Sequence, residues 1–348
     1  MSIVRWESYP VAATSARVRS WMHMQANLQL APKTIDAYAR SLDDYLSFCA
    51  RHGVSCDTAT REDVATYVHD LAVRPHPRPA NRCHLSSGIG LSNATMQLRL
   101  TAVRLFYDYL MEAQVRADNP VGRGRYTPGK GFGGMRDRGI VPHFQRLPWV
   151  PTDAQWQAIL VALRDETARN RAMVLLAYDG ALRREELLLL ETGDIDPAFR
   201  QLTIRAETTK NRNGRVVFYS EYTAGALAAY LHHRRALSAA RGLLFLSESR
   251  RNRAQPLSPG MWNKVVQGLA ARAAVPQLHT HTFRHLRLTH MARAGLDIHR
   301  IAVYAGHRST ETTMLYVHLS GRDLADSVTR GMAAFDRWLT ATVEGARP

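Results

Sequence analysis

The sequence predicts a mainly α protein with one small antiparallel β-sheet, organised as two helical domains joined by a basic linker. Three observations carry this. Apolar residues recur at three- and four-residue steps through much of the chain, the spacing that lines one face of a helix. Residues 201–205 and 214–219 instead alternate apolar and polar around the short turn 210–213, as a strand pair does. Residues 121–149 are so rich in Gly and Pro that neither a long helix nor a central strand can form there.

The first domain is expected over residues 10–120. A helix at 15–28 turns Val18, Trp21 and Met22 inward. A second starts at Pro32 and carries Ile35, Tyr38, Leu42, Tyr45, Leu46 and Cys49 on one stripe. Thr60 supplies a hydroxyl cap and Glu62 and Asp63 supply first-turn acids for a third, with Val64, Tyr67, Val68 and Leu71 inward. A proline-rich, basic loop spans 74–90. Ser92 then caps a helix holding Met96, Leu100, Val103, Tyr107 and Leu110. The polar faces carry Lys33, Arg40, Arg99 and Arg104, which read either as a solvated surface or as grips on a polyanion.

In the linker, Arg123, Arg125, Lys130, Arg136, Arg138 and Arg146 face a single acid, Asp137. That composition suits a tether lying along a charged backbone, or a plain flexible connector. The second domain is expected over 150–348. Thr152 and Gln155 form a capping box for a helix to Leu163, and a further helix runs over 168–179 until Gly180. The next helix begins at Ala181–Leu190, which puts Arg183 at its N-terminus, where N–H donors favour an anion. After the strand pair, Ser220 caps a helix over 221–237, and residues 243–246 read as a third short strand. Ser258-Pro259 opens a helix to about 273. Helices near 281–294, 297–305 and 309–317 follow, separated by Gly295 and Gly306, and an amphipathic helix runs from 324 to 339.

The formal charge of +16, with a pI near 10.3, bounds the partner. Solubility alone asks for a magnitude of about 2–8 in a small domain, so a polyanion is expected, with nucleic acid ahead of a membrane surface. The three cysteines, Cys49, Cys56 and Cys83, suggest no disulfide framework, and with His52 and His84 they match no zinc spacing. No apolar run reaches 18 residues and the start lacks a signal-peptide core, so a cytoplasmic protein without a membrane span is expected.

The polar residues that fit no apolar stripe are Arg183, Lys210, His281, Arg284, His307 and Tyr316. Two arginines can hold the non-bridging oxygens of a phosphate, and imidazoles can donate hydrogen bonds or shuttle a proton. A lysine can protonate a departing oxygen, and a tyrosine hydroxyl is a nucleophile once its proton is removed. Such a set can transfer a phosphoryl group by positioning and charge alone, without metal or other cofactor. Singly, each has a plainer meaning: an ion pair, a cap or a core tyrosine. His279, His281, His285 and His290 invite a metal reading, but no carboxylate or cysteine stands nearby at a ligand spacing.

In order and spacing these motifs resemble the tyrosine recombinases, or phage-type integrases, over nearly the whole chain. Ala181-Leu182-Arg183-Arg184-Glu185-Glu186-Leu187 is similar to the family's first arginine box, with Ala where Gly is usual. Lys210 stands where the hairpin lysine stands. His281-Thr282-Phe283-Arg284 matches the H-x-x-R box, Gly306-His307 the G-H pair, and Thr312 to Tyr316 the tyrosine box. The resemblance implies a helical core-binding domain followed by a catalytic domain. It implies that Tyr316 attacks the scissile phosphate to give a 3′-phosphotyrosyl link, while Arg183, His281, Arg284 and His307 hold the oxygens. Glu186 would support the site, Lys210 would protonate the leaving 5′ oxygen, and His279, His285 and Tyr304 fall to supporting places. Double-stranded DNA, a homotetramer on synapsed DNA and accessory DNA-bending or directionality proteins are the implied partners, with transposition or integration of a mobile element the implied setting. A type IB topoisomerase-like relaxing enzyme, a non-catalytic DNA-binding regulator and a metal-dependent nuclease are the alternatives.

Overall fold

The computed structural model describes residues 4–75, 90–122, 141, 147–209, 211–319 and 321–343, the side chains of 317–327, 330 and 331 excepted. The chain divides into two compact units, residues 1–146 and 147–348. Arg123, Arg125 and Lys130 lie outside the described residues, as does most of the expected linker.

The first unit is built from α1 (Pro10–Thr14), α2 (Ala16–Asn27), α3 (Pro32–His52), α4 (Arg61–Val73) and α5 (Asn93–Glu112). Its helix starts follow from capping. Ser15 and Ser92 accept from Val18 and Thr95 N–H, and Thr60 with Asp63 forms a capping box. Gly53, at φ +65°, closes α3 in a left-handed turn that a side chain would disfavour. Trp21, Tyr45, Tyr67, Phe106 and Tyr107 fill the core, and the hydroxyls of Tyr45 and Tyr107 meet at 2.6 Å. Asp44 gathers Tyr67, Arg74 and Arg99. Arg99 is thus one-fifth exposed and already paired with a carboxylate, whereas Arg40 is exposed and shares Asp36 with Arg5. Lys33 stands exposed at the start of α3, and Arg104 is half-buried on α5. Helix α1 was not foreseen, because five residues are too few to show a period.

The second unit runs α6 (Asp153–Leu163), α7 (Ala168–Asp179), α8 (Arg184–Leu188), β1 (Ile195–Asp196), β2 (Gln201–Ile204), β3 (Arg215–Phe218), α9 (Glu221–Leu237), α10 (Pro259–Arg272), α11 (Thr282–Arg293), α12 (Ile298–Ala305), α13 (Glu311–Leu319) and α14 (Gly321–Val343). The sheet is antiparallel in the order β1-β2-β3, and Leu202 opposite Val217 puts its apolar pair on the core. Helix α7 is buried almost all round, with Met173, Val174, Leu176 and Ala177 in contact with a core that includes Leu227, Tyr230, Phe245, Trp262 and Phe283. Asp179, at the end of α7, accepts from Ser220 N–H (2.8 Å) and Oγ (2.9 Å) and from Thr223 Oγ1 (2.6 Å), which fixes the start of α9.

One expected element differs. Residues 243–246 form no strand, only isolated bridges of Leu243 with Glu191 and Leu246 with Pro256. Their backbone groups are taken instead by side chains of α9. Tyr230 Oη donates to Leu244 O (2.9 Å) and accepts from Leu246 N (3.0 Å), and Arg234 donates to Leu243 O and Leu244 O (2.8 and 3.0 Å). The third strand is β1, two residues long.

Candidate active site

The site is assembled from the turn before α8, the β2–β3 hairpin, α11, the α12–α13 turn and α13. Gly180 ends α7, and Ala181 then turns at φ +47°, a left-handed conformation that costs a residue with a Cβ about 1–2 kcal/mol. That turn places Arg183 at the N-cap of α8 and aims the Ala181 carbonyl at Arg284, whose Nη1 donates to it at 2.6 Å.

Arg284 is 4% exposed, and it also donates to Ala305 O (2.6 Å) and, at 2.9 Å, to His307 Nε2. Burial first, then the charge of Arg183, lowers its pKa to about 9, with Glu186 opposing, so the guanidinium stays charged near neutrality. Since Arg284 can only donate, His307 Nε2 is an acceptor and its proton sits on Nδ1, which donates to Thr313 Oγ1 at 2.9 Å. Gly306, at φ +64°, turns the chain from α12 into His307, and a Cβ there would come within 3.1 Å of Arg215. Burial and the charges of Arg284, Arg183 and Arg215 hold His307 neutral, with its pKa down to about 3.

Glu186 is 1% exposed and is the electrostatic keystone of this cluster. It accepts from Arg183 N (2.8 Å) and Nη1 (2.6 Å), and from Arg215 Nη1 (3.1 Å) and Nη2 (2.8 Å). Burial alone would raise the carboxyl pKa. The Arg215 hydrogen bonds and charge, joined by the Arg183 N–H and charge, overcome it and bring it to about 2. Arg215 also donates to Tyr304 O at 2.8 Å, and Arg183 Nη2 reaches Gly306 O at 3.3 Å. One carboxylate therefore orients two arginines and ties the hairpin to the turn that carries His307.

Tyr316 is 2% exposed. Its ring stacks on His307 (centroids 6.2 Å apart, 8° between planes), and its hydroxyl lies 2.9 Å from His285 Nδ1. Burial raises the phenol pKa, while the charges of Arg284 and Arg183 and a hydrogen bond from Arg284 pull it down. His281 stands at the N-cap position of α11 without a capping side-chain bond and is exposed, 6.4 Å from His285 by ring centroids. Crowding by protein atoms, then His279, Arg184, Arg284 and Arg183, lowers its pKa.

The structure thus brings Arg183, Glu186, Arg284, His307 and Tyr316 together, with His281 one helical turn from His285. Lys210 lies outside the described residues. Its neighbour Asn211 donates to Gly306 O at 3.2 Å, so the hairpin reaches the same carbonyl as Arg183. Tyr304 is engaged elsewhere: its hydroxyl donates to Asp179 O (2.7 Å) and accepts from Phe218 N (3.3 Å). His279 pairs with Thr282 at the start of α11, and His290 with the Tyr178 hydroxyl at 2.7 Å. Among the described residues no group of three His, Cys, Asp or Glu is placed to hold a metal. Two residues were not picked out from sequence. Arg215 sits on a strand, where an arginine reads as solvent-facing, and the sequence places His285 only in a supporting role.

The histidines set a pH dependence of stability. His285 and His307 have folded-state pKa values near 4 and 3, below the unfolded value of about 6.5. Between these limits the unfolded chain binds more protons, so stability is full above about pH 6.5 and falls as pH drops toward 4. Thermal unfolding from pH 7.5 to 5 is expected to show Tm falling with acid, with a shallower slope for His307→Asn; equal slopes would show that this histidine is not the coupled group.

Buried arginines around a carboxylate, neutral imidazoles and a tyrosine, converging from separate elements of a helical domain, define a phosphate-directed, tyrosine-bearing site. The chain belongs to the phage integrase family, the tyrosine recombinases. Residues 151–322 match the family model described as Phage integrase family, and residues 18–114 match Phage integrase, N-terminal SAM-like domain. The chain is 27% identical over 300 residues to tyrosine recombinase XerC of Herpetosiphon aurantiacus, covering 84% of this chain and 86% of that protein. It is 27% identical over 310 residues to tyrosine recombinase XerD of Caulobacter vibrioides, covering 86% and 90%. In fold it is similar to XerH site-specific recombinase bound to palindromic difH substrate (TM-score 0.63, 18% identity, 85% of this chain and 79% of that one). It is also similar to the Tn1549 transposon integrase in complex with transposon right end DNA (TM-score 0.55, 16% identity, 79% and 86%).

Proposed function

We propose that the protein is a site-specific DNA recombinase that cuts and rejoins strands through a tyrosyl-phosphodiester, in the service of a mobile element. The observation that carries this is the placement of the Tyr316 hydroxyl beside Arg284, His285 and His307, in a network where Glu186 holds Arg183 and Arg215. Arg183 and Arg284 neutralise the charge on the non-bridging oxygens, His281 donates to them, and His307 orients Arg284 through Nε2. Tyr316 attacks phosphorus and the 5′ oxygen leaves, protonated by Lys210. The phosphodiester energy stays in the tyrosyl link, so rejoining needs no nucleotide cofactor.

The partner is double-stranded DNA, with Lys33, Arg40, Arg104 and the basic stretch holding Arg123, Arg125 and Lys130 as phosphate contacts; Arg99, paired with Asp44, is spent within its own unit. A homotetramer on synapsed DNA is supported by α14. There Val328, Met332, Phe335 and Leu339 form an exposed stripe at helical spacing that a lone subunit leaves uncovered. Accessory DNA-bending proteins fit this reading, and the compartment is the cytoplasm. No described helix is long and apolar enough to cross a membrane.

Covalent capture tests the proposal. The full chain is incubated in EDTA with a randomised duplex pool, then denatured, and protein-linked DNA is sequenced. A shared inverted-repeat motif on 3′-linked strands is the expected result. Adducts without sequence preference would support a relaxing enzyme instead. No adduct, or cleavage that EDTA abolishes, would overturn a tyrosine mechanism.

A further inference from the structure

We infer that His285 takes the proton from the Tyr316 hydroxyl when that oxygen attacks the scissile phosphate. This assignment rests on Tyr316 being the nucleophile, and it adds a catalytic residue that the motif reading placed only as support.

The geometry narrows the choice of acceptor. His285 Nδ1 is 2.9 Å from the Tyr316 oxygen, inside the range for direct proton transfer. His307 stacks on the tyrosine ring, 6.2 Å between centroids, but both its nitrogens are committed: Nε2 accepts from Arg284 and Nδ1 donates to Thr313. It has no lone pair left for a proton. Arg284 can only donate, so it offers the phenol no acceptor. His281 is exposed and a helical turn away, a place that suits a phosphate oxygen better than the phenol.

The surroundings keep His285 in the accepting form. Among the described residues, the charged and titratable groups that face it are His279 and His281 before α11, Arg284 on it and Tyr316 from α13. The other helices packed on α11 turn their groups elsewhere: Tyr178 of α7 to His290, and Tyr304 of α12 to Asp179 O. Burial, then the charges of His281, His279 and Arg284, hold the imidazole unprotonated near neutrality, with its pKa near 4. A phosphodiester entering the site adds negative charge and raises its basicity when it is needed.

The step balances. The Tyr316 O–H bond breaks and its proton goes to His285 Nδ1. The phenolate oxygen bonds to phosphorus as the bond from phosphorus to the 5′ oxygen breaks, and that oxygen takes a proton from the leaving-group acid. In rejoining, a 5′-hydroxyl attacks phosphorus and the His285 imidazolium returns the proton to the departing tyrosine oxygen.

His285→Asn is the discriminating variant, because its side-chain amide keeps a hydrogen-bonding atom near the place of Nδ1 yet cannot carry a proton. Single-turnover cleavage is measured at saturating protein on a suicide substrate bearing the captured site, from pH 5.5 to 9. Wild type is expected to hold its rate nearly level over this range, because His285 stays unprotonated throughout. His285→Asn is expected to be slower by about 100-fold at pH 7 and to gain rate steadily with hydroxide instead. A 5′-bridging sulfur, which leaves without a proton, is expected to give no rescue of His285→Asn, since the missing function is on the nucleophile side. A variant within about threefold of wild type overturns the assignment. So does a slow variant with the wild-type pH profile, which marks a structural role, and so does rescue by the sulfur leaving group. Wild type that forms no Tyr316 adduct overturns the recombinase reading itself, and this role with it.

Discussion

Replacing Tyr316 with phenylalanine is expected to abolish the covalent adduct while leaving a folded protein that still binds the captured DNA site. The two halves of this result have separate causes. The substitution removes one hydroxyl and keeps the ring, so the stacking on His307 and the buried apolar contacts with Leu288, Ile301 and Ala305 survive. What stability loses is one hydrogen bond to His285, a net cost of about 1 kcal/mol. What chemistry loses is the atom that bonds to phosphorus, and losses on removing a nucleophile exceed about 10⁴-fold. Adduct yield on a suicide substrate, with affinity measured alongside, checks both. Residual adduct at the wild-type level would remove Tyr316 from the mechanism.

Arg215→Ala is expected to be the most damaging substitution away from the reacting atoms. Arg215 and Glu186 are 5% and 1% exposed by side chain, and removing one member of a buried pair leaves the other charge desolvated, at about 3–5 kcal/mol. Arg183 remains to neutralise Glu186, which keeps the loss within that range rather than beyond it. Arg200→Ala is the control: its pair with Glu221 is 50% and 92% exposed, and its loss should fall within about 0.5 kcal/mol. Arg215→Lys should restore only part of the stability, since a single ammonium cannot reproduce the two-nitrogen fork on the carboxylate. Because Glu186 orients Arg183, the cleavage rate of Arg215→Ala is expected to fall by about 100-fold even at saturating DNA. Urea unfolding and single-turnover cleavage read the two effects. A change under 1 kcal/mol with normal cleavage would show that Glu186 does not depend on this partner.

How legible the molecule was depends on how local each cause is. Helix starts were legible because caps are local: Thr152 with Gln155, Ser220 with Thr223 and Ser258 before Pro259 stand in the structure as the sequence suggested. The helix over 221–237 formed despite Gly225, because Asp179 clamps its first turn and nothing crowds the glycine. Residues 243–246 misled, since an apolar run cannot show that Tyr230 and Arg234 will occupy its backbone groups. Within the site, Arg183, Arg284, His307 and Tyr316 stood out as polar residues off the apolar stripes. Arg215 did not, because its partner Glu186 is 29 residues away and only the β3 register turns it inward. The spacing of His281 and His285 put them on one face of α11, yet which of them meets the tyrosine is decided by how α13 packs across that helix.

The identity of the residue that bonds to DNA is the most direct test. Wild-type protein is trapped on a suicide substrate, the DNA is trimmed to a short nucleotide stub, and the protein is digested with trypsin and sequenced by mass spectrometry. The predicted result is a peptide spanning residues 309–322 carrying the nucleotide mass on Tyr316. A stub on Tyr304 or on any other residue, or cleaved DNA with no nucleotide on the protein, would contradict it.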